Sequence, residues 1–359
     1  WYIERLPLVW TGAEYASVWE LQSEPPAPPE FEFRRFGIDG ATIDAPWRYS
    51  APPYSGGLEL VWNGSGFGLF FVDREVGLYY MRLDAAGKPL GSPVLVEDDP
   101  RVRGTAADLA SGGYVVSWVS DTATDPSTHW SMCNGDGVDI LRVRLVDPNG
   151  LAIGPVVTVD ETAQGAPDVA TGDGGFGLVF PVNDIFGLDA SFCALRFVRL
   201  DASLSEAASS GVLGRTSLFG DVAWADGHWA TAWSTCHPCT TLEYVSSIAV
   251  ARFSPDGILV GPPVLNAPYA DDNRTIMRLA AGDGGMVLVW TILGGRLEYL
   301  RTDSTGIAVG PVHYVVSHED YSFFGPFGIA WSGGAFGVLY QQIDPEPEGL
   351  YLRHFVSAE

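Results

Sequence analysis

Basic residues are scarce in this chain of 359 residues. It has one lysine, Lys88, and 20 Lys and Arg residues in total, against 44 Asp and Glu residues. The formal net charge is therefore −24 at pH 7. Because clustered Lys and Arg side chains bind a phosphate backbone, this composition excludes nucleic acid as an expected partner.

Long apolar runs and the motifs of common enzyme classes are also missing. No apolar run reaches the roughly 18–20 residues that a membrane-spanning helix needs, so none is expected. The sequence contains no Gly-x-Ser-x-Gly elbow, no His-Glu-x-x-His pair, no P-loop and no dinucleotide-binding fingerprint. These absences favour a protein that is not an enzyme, and they leave open a catalytic site assembled from distant residues.

Cysteine is sparse, and its count is even: Cys133, Cys193, Cys236 and Cys239. An even count suits disulfide pairing, which belongs to oxidising compartments. Together with the acidic charge and an opening at Trp1 without Met, it indicates an exported protein, extracellular or at the cell surface.

Glycine and proline are abundant, with 43 and 25 residues, which argues against a mostly helical protein. An apolar strand, a Gly-rich turn and a second strand recur seven times along the chain. The second strands open at Tyr15, Phe67, Tyr114, Phe176, Trp229, Met286 and Phe336. Their spacing of 47 to 62 residues is typical of an array of structural repeats.

A third strand that carries Arg and often Asp-x-x-Gly follows in each repeat, and a short fourth strand begins near Gly-Pro. Clear copies occupy 78–96, 141–159, 248–265 and 297–315, and weaker copies occupy 31–40 and 195–204. Four strands per repeat with period-two apolar alternation predict an all-β fold, a seven-bladed β-propeller of four-stranded antiparallel blades. A solenoid is the competing architecture, but the polar end caps that it requires are not visible.

The repeats divide the whole chain, 1–359, as a single domain. Their bounds are roughly 6–54, 55–104, 105–165, 166–217, 218–272, 273–323, and 324–359 together with 1–5. The last repeat ends after its third strand. The N-terminal segment 1–6 is therefore expected to supply the missing outer strand and to close the ring.

The pattern WNGSGF (62–67) followed by LYYMRLDAAGKPLGSP (78–93) resembles the repeats of secreted propeller-like proteins from myxobacteria and related bacteria. The resemblance covers nearly the whole chain, and it implies this fold and an exported setting. It implies no activity, because its motif is structural. The sialidase box, the Gly-His…Trp-Asp pairing and the Asp-x-Asp-x-Asp-Gly calcium loop of better-known propellers are absent.

One face of the predicted ring is the candidate functional face. In a four-stranded blade, the loop between the second and third strands emerges beside the link to the next blade, and these loops are long. They span 20–30, 119–139, 181–193 and 234–246. Acidic links and the arginines after them lie on the same face: Asp98, Asp99, Arg101, Arg103, Asp271, Asp272, Arg274 and Arg278. These are either ordinary solvated charges or a polar mouth that binds cations, sugars or an anionic group.

The most distinctive loop, at 120–139, carries both a stacking candidate and a metal candidate. Trp130, with His129 beside it, is the tryptophan of a long loop, and it is the residue expected to stack on a ligand. Asn134, Asp136 and Asp139 stand on a Gly-rich turn, and clustered side-chain oxygens are what Ca²⁺ prefers. Turn chemistry alone would also select these residues, so a cofactor is not required.

Most other tryptophans repeat in register, which predicts packing between blades. They are Trp10, Trp62, Trp224 and Trp331 at the end of the first strand, and Trp19, Trp118, Trp233 and Trp290 at the end of the second.

The four cysteines lie in corresponding loops of three consecutive repeats. Two disulfides are expected, with three pairings open; Cys133–Cys193 with Cys236–Cys239 is one of them. A redox Cys-x-x-Cys pair and a four-thiolate zinc site are the alternatives.

These observations predict an exported, non-catalytic binding propeller that holds a glycan or a protein in the long loops of one face. The first alternative is a carbohydrate-active hydrolase or lyase that uses acids and arginines near the axis. The second is a structural subunit, for which self-association is expected.

Overall fold

The computed structural model of the chain is built of β-strands. It describes residues 6–21, 29–52, 55–122, 139–183, 193–216, 220–236, 245–270, 274–282, 284–292, 296–316, 324–342 and 349–356. These residues form 27 strands and no helix. Within these ranges there is accordingly no helical segment of the length and apolarity that crossing a bilayer demands.

The strands form six antiparallel sheets in which chain order is largely kept. The first sheet contains β1 (Leu8–Trp10), β2 (Tyr15–Leu21), β3 (Glu30–Phe36) and β4 (Trp47–Ser50). The second contains β5 (Ser55–Trp62), β6 (Gly66–Asp73), β7 (Gly77–Asp84) and β8 (Val94–Glu97). The third contains β9 (Val102–Ala110), β10 (Gly113–Ser120), β11 (Asp139–Val146), β12 (Ala152–Ala163), β13 (Asp168–Gly172), β14 (Gly175–Asn183), β15 (Cys193–Asp201) and β16 (Glu206–Thr216).

The remaining sheets repeat the four-stranded plan until the last. The fourth contains β17 (Gly220–Ala225), β18 (His228–Cys236), β19 (Val245–Phe253) and β20 (Val264–Ala270). The fifth contains β21 (Arg274–Gly282), β22 (Gly285–Ile292), β23 (Arg296–Asp303) and β24 (His313–Val316). The sixth contains β25 (Phe324–Trp331), β26 (Ala335–Gln342) and β27 (Gly349–Val356).

Six sheets, one of them eight-stranded, stand where the repeats predict seven blades of four strands. The eight-stranded sheet contains two consecutive repeats, β9 to β12 and β13 to β16. A single residue pair, Ala163 with Val182, joins β12 to β14. It forms at the end of β12, which runs on for 12 residues to Ala163.

The Asp-x-x-Gly motif forms the turn after the third strand and seats it on the preceding sheet. The carboxylate of Asp147 accepts the N–H groups of Asn149 and Leu151, each at 2.8 Å. Gly150 has φ +84°, and a Cβ there would lie 2.4 Å from the ring of Tyr80 on β7. The motif therefore holds neighbouring sheets together as well as reversing the chain.

Three of the eight in-register tryptophans are buried, and so is Trp229, which opens a second strand. The other five are half-buried: Trp10, Trp19, Trp62, Trp224 and Trp331. Trp118, Trp229, Trp233 and Trp290 are at most 1% exposed. Trp229 on β18 lies against Gly177 of β14, where a Cβ would come within 2.6 Å of the indole. Packing in buried clusters therefore accounts for these four residues without a ligand.

Contacts divide the chain into two compact units. The first comprises Trp1–Ser120, Val143–Val156 and Gly325–Glu359, and the second comprises Asp121–Arg142 and Val157–Phe324. A single domain over 1–359 stays a prediction. In the first unit the first strands of neighbouring sheets, β1, β5 and β9, contact one another in series, and in the second unit β13, β17 and β21 do so.

The first and last sheets of the chain pack together within the first unit. Leu8 and Tyr15 share a buried cluster with Ala330 and Leu339. A Cβ on Gly40 would lie 2.8 Å from the carbonyl oxygen of Leu352 on β27. The chain ends therefore belong to adjacent sheets. The expected closing strand falls mostly on residues 1–5, which lie outside the described residues.

Candidate functional site

Much of the predicted functional face lies outside the described residues. This applies to His129, Trp130, Cys133, Asn134, Asp136, Cys239, Asp271 and Asp272. Their roles in ligand, metal or disulfide binding stay predictions. The predicted ligand and metal residues that are described lie in the link before β9, at the starts of β11 and β21, and within β9 and β21.

Asp99 and Arg101 in the link before β9 form a local ion pair. The Arg101 Nε atom donates to Asp99 Oδ1 at 2.8 Å, and the Arg101 backbone N–H donates to the same oxygen at 3.0 Å. Asp99 is 5% exposed, whereas the Arg101 side chain is 58% exposed. The carboxylate therefore fixes the entry of the chain into β9, and the guanidinium covers it.

The pKa of Asp99 shows which effect prevails at this link. Burial alone would raise the pKa, but hydrogen bonds from Arg101 and from the Ser120 side chain outweigh it and lower the pKa below its ordinary value. Asp99 is thus held ionised, which suits a brace or an ion-pair partner. A general acid at neutral pH needs the opposite shift.

The other two predicted residues of this link lie apart from the ion pair. Arg103 on β9 donates from Nη1 to the carbonyl oxygens of Pro100 and Val102, at 3.1 and 3.0 Å. Asp98 is exposed. Whether Arg103 is an ordinary solvated charge or part of a polar ligand-binding mouth stays a prediction.

Arg274 and Asp139 each begin a strand. Arg274 opens β21 opposite Ile292 of β22, and Asp139 opens β11 half-buried. Within the described ranges no three His, Cys, Asp or Glu side chains gather to hold a metal. Of the predicted calcium ligands, only Asp139 falls in those ranges.

The described cysteines start or end strands beside the long loops. Cys193 opens β15, is 1% exposed, and is disulfide-bonded. Cys236 closes β18 opposite Ser246 of β19. Neither is free. Which cysteine pairs with Cys193 stays a prediction.

A level of buried charged residues on the first strands was not recognised as a group in the sequence. Each member lies opposite the residue that is three positions after the opening residue of the second strand: Glu59 opposite Phe70, Asp168 opposite Val179, Asp221 opposite Ala232 and Arg278 opposite Val289. All four are at most 9% exposed. We call this set the inner-strand level. Only Arg278 was among the sequence candidates.

Two acids of the inner-strand level bind the first strand of the following repeat. Asp168 Oδ2 on β13 accepts the N–H of Val222 on β17 at 2.8 Å. Asp221 Oδ2 on β17 accepts the N–H of Leu279 on β21 at 2.6 Å. Asp221 Oδ1 also lies 3.2 Å from the Val222 nitrogen, so the two carboxylates are neighbours. Each acid therefore replaces the backbone pairing that separate sheets lack.

The third member in this unit brings a positive charge beside them. Arg278 precedes Leu279, the donor to Asp221, and its Nη1 donates to the Met277 carbonyl at 3.0 Å. The level thus reads acid, acid, arginine across β13, β17 and β21. The signal in the sequence was the in-register Asp-Val-Ala of 168–170 and 221–223, which loop charges obscured.

No protein-family model and no curated protein sequence matches the chain. Solved structures resemble its fold. The β-propeller domain of the trilobed protease from Pyrococcus furiosus, described as having an open velcro topology, is 9% identical with a TM-score of 0.53. That match covers 100% of this chain and 97% of the other.

Two larger proteins match over most of this chain. The acylaminoacyl peptidase of Pyrococcus horikoshii is 9% identical with a TM-score of 0.56, covering 100% of this chain and 52% of the other. Puromycin hydrolase is 16% identical with a TM-score of 0.53, covering 98% and 53%. The chain thus spans about half the length of these two proteins. At such identities the likeness shows the fold alone, which is a β-propeller.

Proposed function

We propose that this chain is an exported, seven-bladed β-propeller that binds a ligand, a glycan before a protein, through the long loops of one face. The observation that carries the proposal is that the inner-strand acids are engaged in hydrogen bonds within the scaffold. Asp168 and Asp221 accept backbone N–H groups from the first strand of the following repeat, and Asp99 accepts a hydrogen bond from the Arg101 side chain. Charges engaged in this way stabilise a scaffold, which leaves the loops for recognition.

The count of seven blades has support from the single pair that joins β12 to β14. Without it, the strands fall into six sets of four and one set of three. An outer strand from residues 1–5 would complete the last set. Such closure removes two open edges, which favours a ring.

A glycan array tests the binding proposal. We expect wild-type protein to bind a defined set of glycans and Trp130→Ala to lose that binding at least about tenfold, or about 1.4 kcal/mol, because the variant lacks the large apolar face of the indole. Trp47→Ala is the matched control, since Trp47 lies on β4, stacks on Tyr49 at 5.8 Å and is outside the long loops. Loss of binding in chelator would place Ca²⁺ with Asn134, Asp136 and Asp139.

Absence of any hit with the wild-type protein would overturn the glycan proposal. So would hits that Trp130→Ala binds as tightly as wild type does. A cross-linker attached in the loop that contains Trp130, followed by pull-down, would then decide whether a protein is the ligand.

A hydrolase that uses the inner-strand level is the second candidate. Asp168, Asp221 and Arg278 provide two neighbouring carboxylates and an arginine, and two solved proteins of this fold are named as a hydrolase and a peptidase. This candidate predicts turnover with a bell-shaped pH profile and loss of that turnover in Asp221→Asn. Binding without turnover in wild type would exclude it.

A further inference from the structure

Exposed apolar residues occupy repeated positions on the outer part of the fourth and fifth sheets. They are Ile258, Val260 and Leu265 of the fourth sheet, and Ile307, Val309 and Tyr314 of the fifth. Their exposed fractions lie between 44% and 65%. We call these six residues the outer apolar patch. Single exposed apolar residues are ordinary, but a contiguous set marks an interaction surface.

The two halves of the patch are joined by a buried side chain. Asn266, next to Leu265 on β20, donates from Nδ2 to the Gly306 carbonyl at 2.9 Å. Its Oδ1 accepts the N–H of Ala308 at 3.1 Å, and the side chain is 5% exposed. Leu265 is therefore held beside Ile307, and the patch is one preformed surface.

The fold does not require apolar residues at these positions. Leu265 pairs opposite Ala249, and the equivalent outer-strand position in the first sheet is Arg48, opposite Glu32. In the second sheet Lys88 follows the turn glycine at the place of Ile258. Charged side chains are thus compatible with the architecture. Exposed apolar residues also recur at the turns of other sheets, at Leu90, Leu151 and Ile153. In the fourth and fifth sheets they accompany exposed outer-strand residues, and Asn266 joins the two sets.

Charge indicates what covers it. Residues 257–270 and 304–316, which contain the patch, have no Asp, Glu, Lys or Arg, whereas the chain as a whole carries −24. A basic partner would be drawn to the acidic surface elsewhere. Two copies of this chain repel each other, and that repulsion is least where both present an uncharged face.

We propose that the outer apolar patch is a dimer interface, in which two copies of this chain meet through the same surface. Two-fold dimers, in which the same patch of each subunit meets, are the commonest symmetric oligomers. An apolar surface is complementary to a second copy of itself. Asp256 and Asp303, at the turns that border the patch, supply the polar rim that such interfaces have. This proposal is independent of the ligand-binding face.

Sedimentation velocity on the full chain tests it, over a range of concentrations and at about 0.1 and 0.5 M NaCl. We expect a reversible dimer that tightens with salt, because screening weakens the repulsion between two acidic copies. Leu265→Glu should weaken dimerisation at least about tenfold, and so should Ile307→Lys, whose added charge has the opposite sign. Loss in both variants would assign the effect to the patch and not to net charge.

The matched control is Leu95→Glu, at the equivalent outer-strand position of β8, where Leu95 is 40% exposed. It should dimerise like wild type. Circular dichroism melts establish that each variant is folded, and Tyr314→Ser replaces any variant that is not. A wild-type chain that stays monomeric at every salt and concentration overturns the proposal, as does a dimer that persists in both patch variants.

Discussion

Asp221 shows at the scale of one residue how separate sheets are held together. Its two oxygens approach the N–H groups of Leu279 and Val222, at 2.6 and 3.2 Å, and the side chain is 7% exposed. Leaving a buried N–H without an acceptor destabilises the fold by more than the hydrogen bond stabilises it when formed. The reason is that the buried N–H has also lost its hydrogen bonds to water. The hydrogen-bond acceptor at this position therefore matters more for stability than the negative charge does.

Asp221→Ala should lower the free energy of unfolding by about 1–3 kcal/mol, because the Leu279 N–H loses its buried acceptor. Asp221→Asn keeps an oxygen there and should cost clearly less. Urea unfolding followed by tryptophan fluorescence measures both. Equal losses in the two variants would mean that the charge itself, paired with a group such as Arg278, carries the stabilisation.

At the scale of an element, the turn glycines show why glycine recurs at fixed positions of the repeat. Gly150 and Gly154 both have positive φ, +84° and +77°. A Cβ at Gly150 would meet the Tyr80 ring, whereas nothing lies within 4 Å of a Cβ at Gly154. Glycine at the first position serves packing between sheets, and at the second it serves the backbone alone.

The pair gives a matched prediction. Gly154→Ala should cost about 1 kcal/mol, the strain of an L-residue in the left-handed region. Gly150→Ala should cost about 2–4 kcal/mol, because the clash with Tyr80 adds about 1–3 kcal/mol to that strain. Denaturant midpoints of the two variants would decide it. A similar loss for both would show that Tyr80 moves aside freely.

The same element has one informative exception. Leu204 stands in the fourth repeat where the others have this turn glycine, with φ +66° and 3% exposure. Burial of a leucine side chain contributes about 1.5–3 kcal/mol, which exceeds the backbone strain of about 1 kcal/mol. A side chain can therefore replace glycine where the neighbouring surface leaves room for it.

At the scale of the whole molecule, repeated turn carboxylates set the response to acid. Hydrogen bonds from Thr305 and from the Ile307 N–H lower the pKa of Asp303, and those from Ser203 and Ser205 lower the pKa of Asp201. At Asp147, burial would raise the pKa, and the N–H groups of Leu151 and Asn149 outweigh it. All three are ionised acceptors in the folded chain.

A depressed pKa in the folded state stabilises the fold above the unfolded value of about 4 and loses that effect as pH falls through the folded pKa. We expect Tm to be nearly constant from about pH 7 to 5 and to fall below about pH 4. Asp303→Asn, which keeps an acceptor but does not titrate, should show a shallower fall. A Tm that rises on acidification would mean that relief of the −24 charge outweighs the turns.

Local patterns predicted the elements well for definite reasons. Period-two alternation and the Asp-x-x-Gly turn are short-range features, so the all-β fold and the four-stranded repeat are confirmed. The sheet count differs because Ala163 and Val182 pair across two repeats, and no local pattern reports such a pair.

The functional residues were also predicted from local patterns, which do not report contacts between distant parts of the chain. Charges next to one another in sequence, such as Asp98 and Asp99, were grouped, although Asp98 is exposed and Asp99 binds Arg101. Asp168 and Asp221 are 53 residues apart in the numbering and become neighbours only when β13 and β17 pack together.

By itself the sequence determined the strand repeat, its turns, the burial of Trp118, Trp233 and Trp290, and the strongly acidic charge. These follow from residue chemistry within one hairpin or from composition. The tertiary structure alone decided which acids meet, which turn glycines carry a neighbouring ring, and which apolar residues stay exposed as one patch. Those properties depend on distances between residues of different sheets, and packing sets such distances only after the sheets come together.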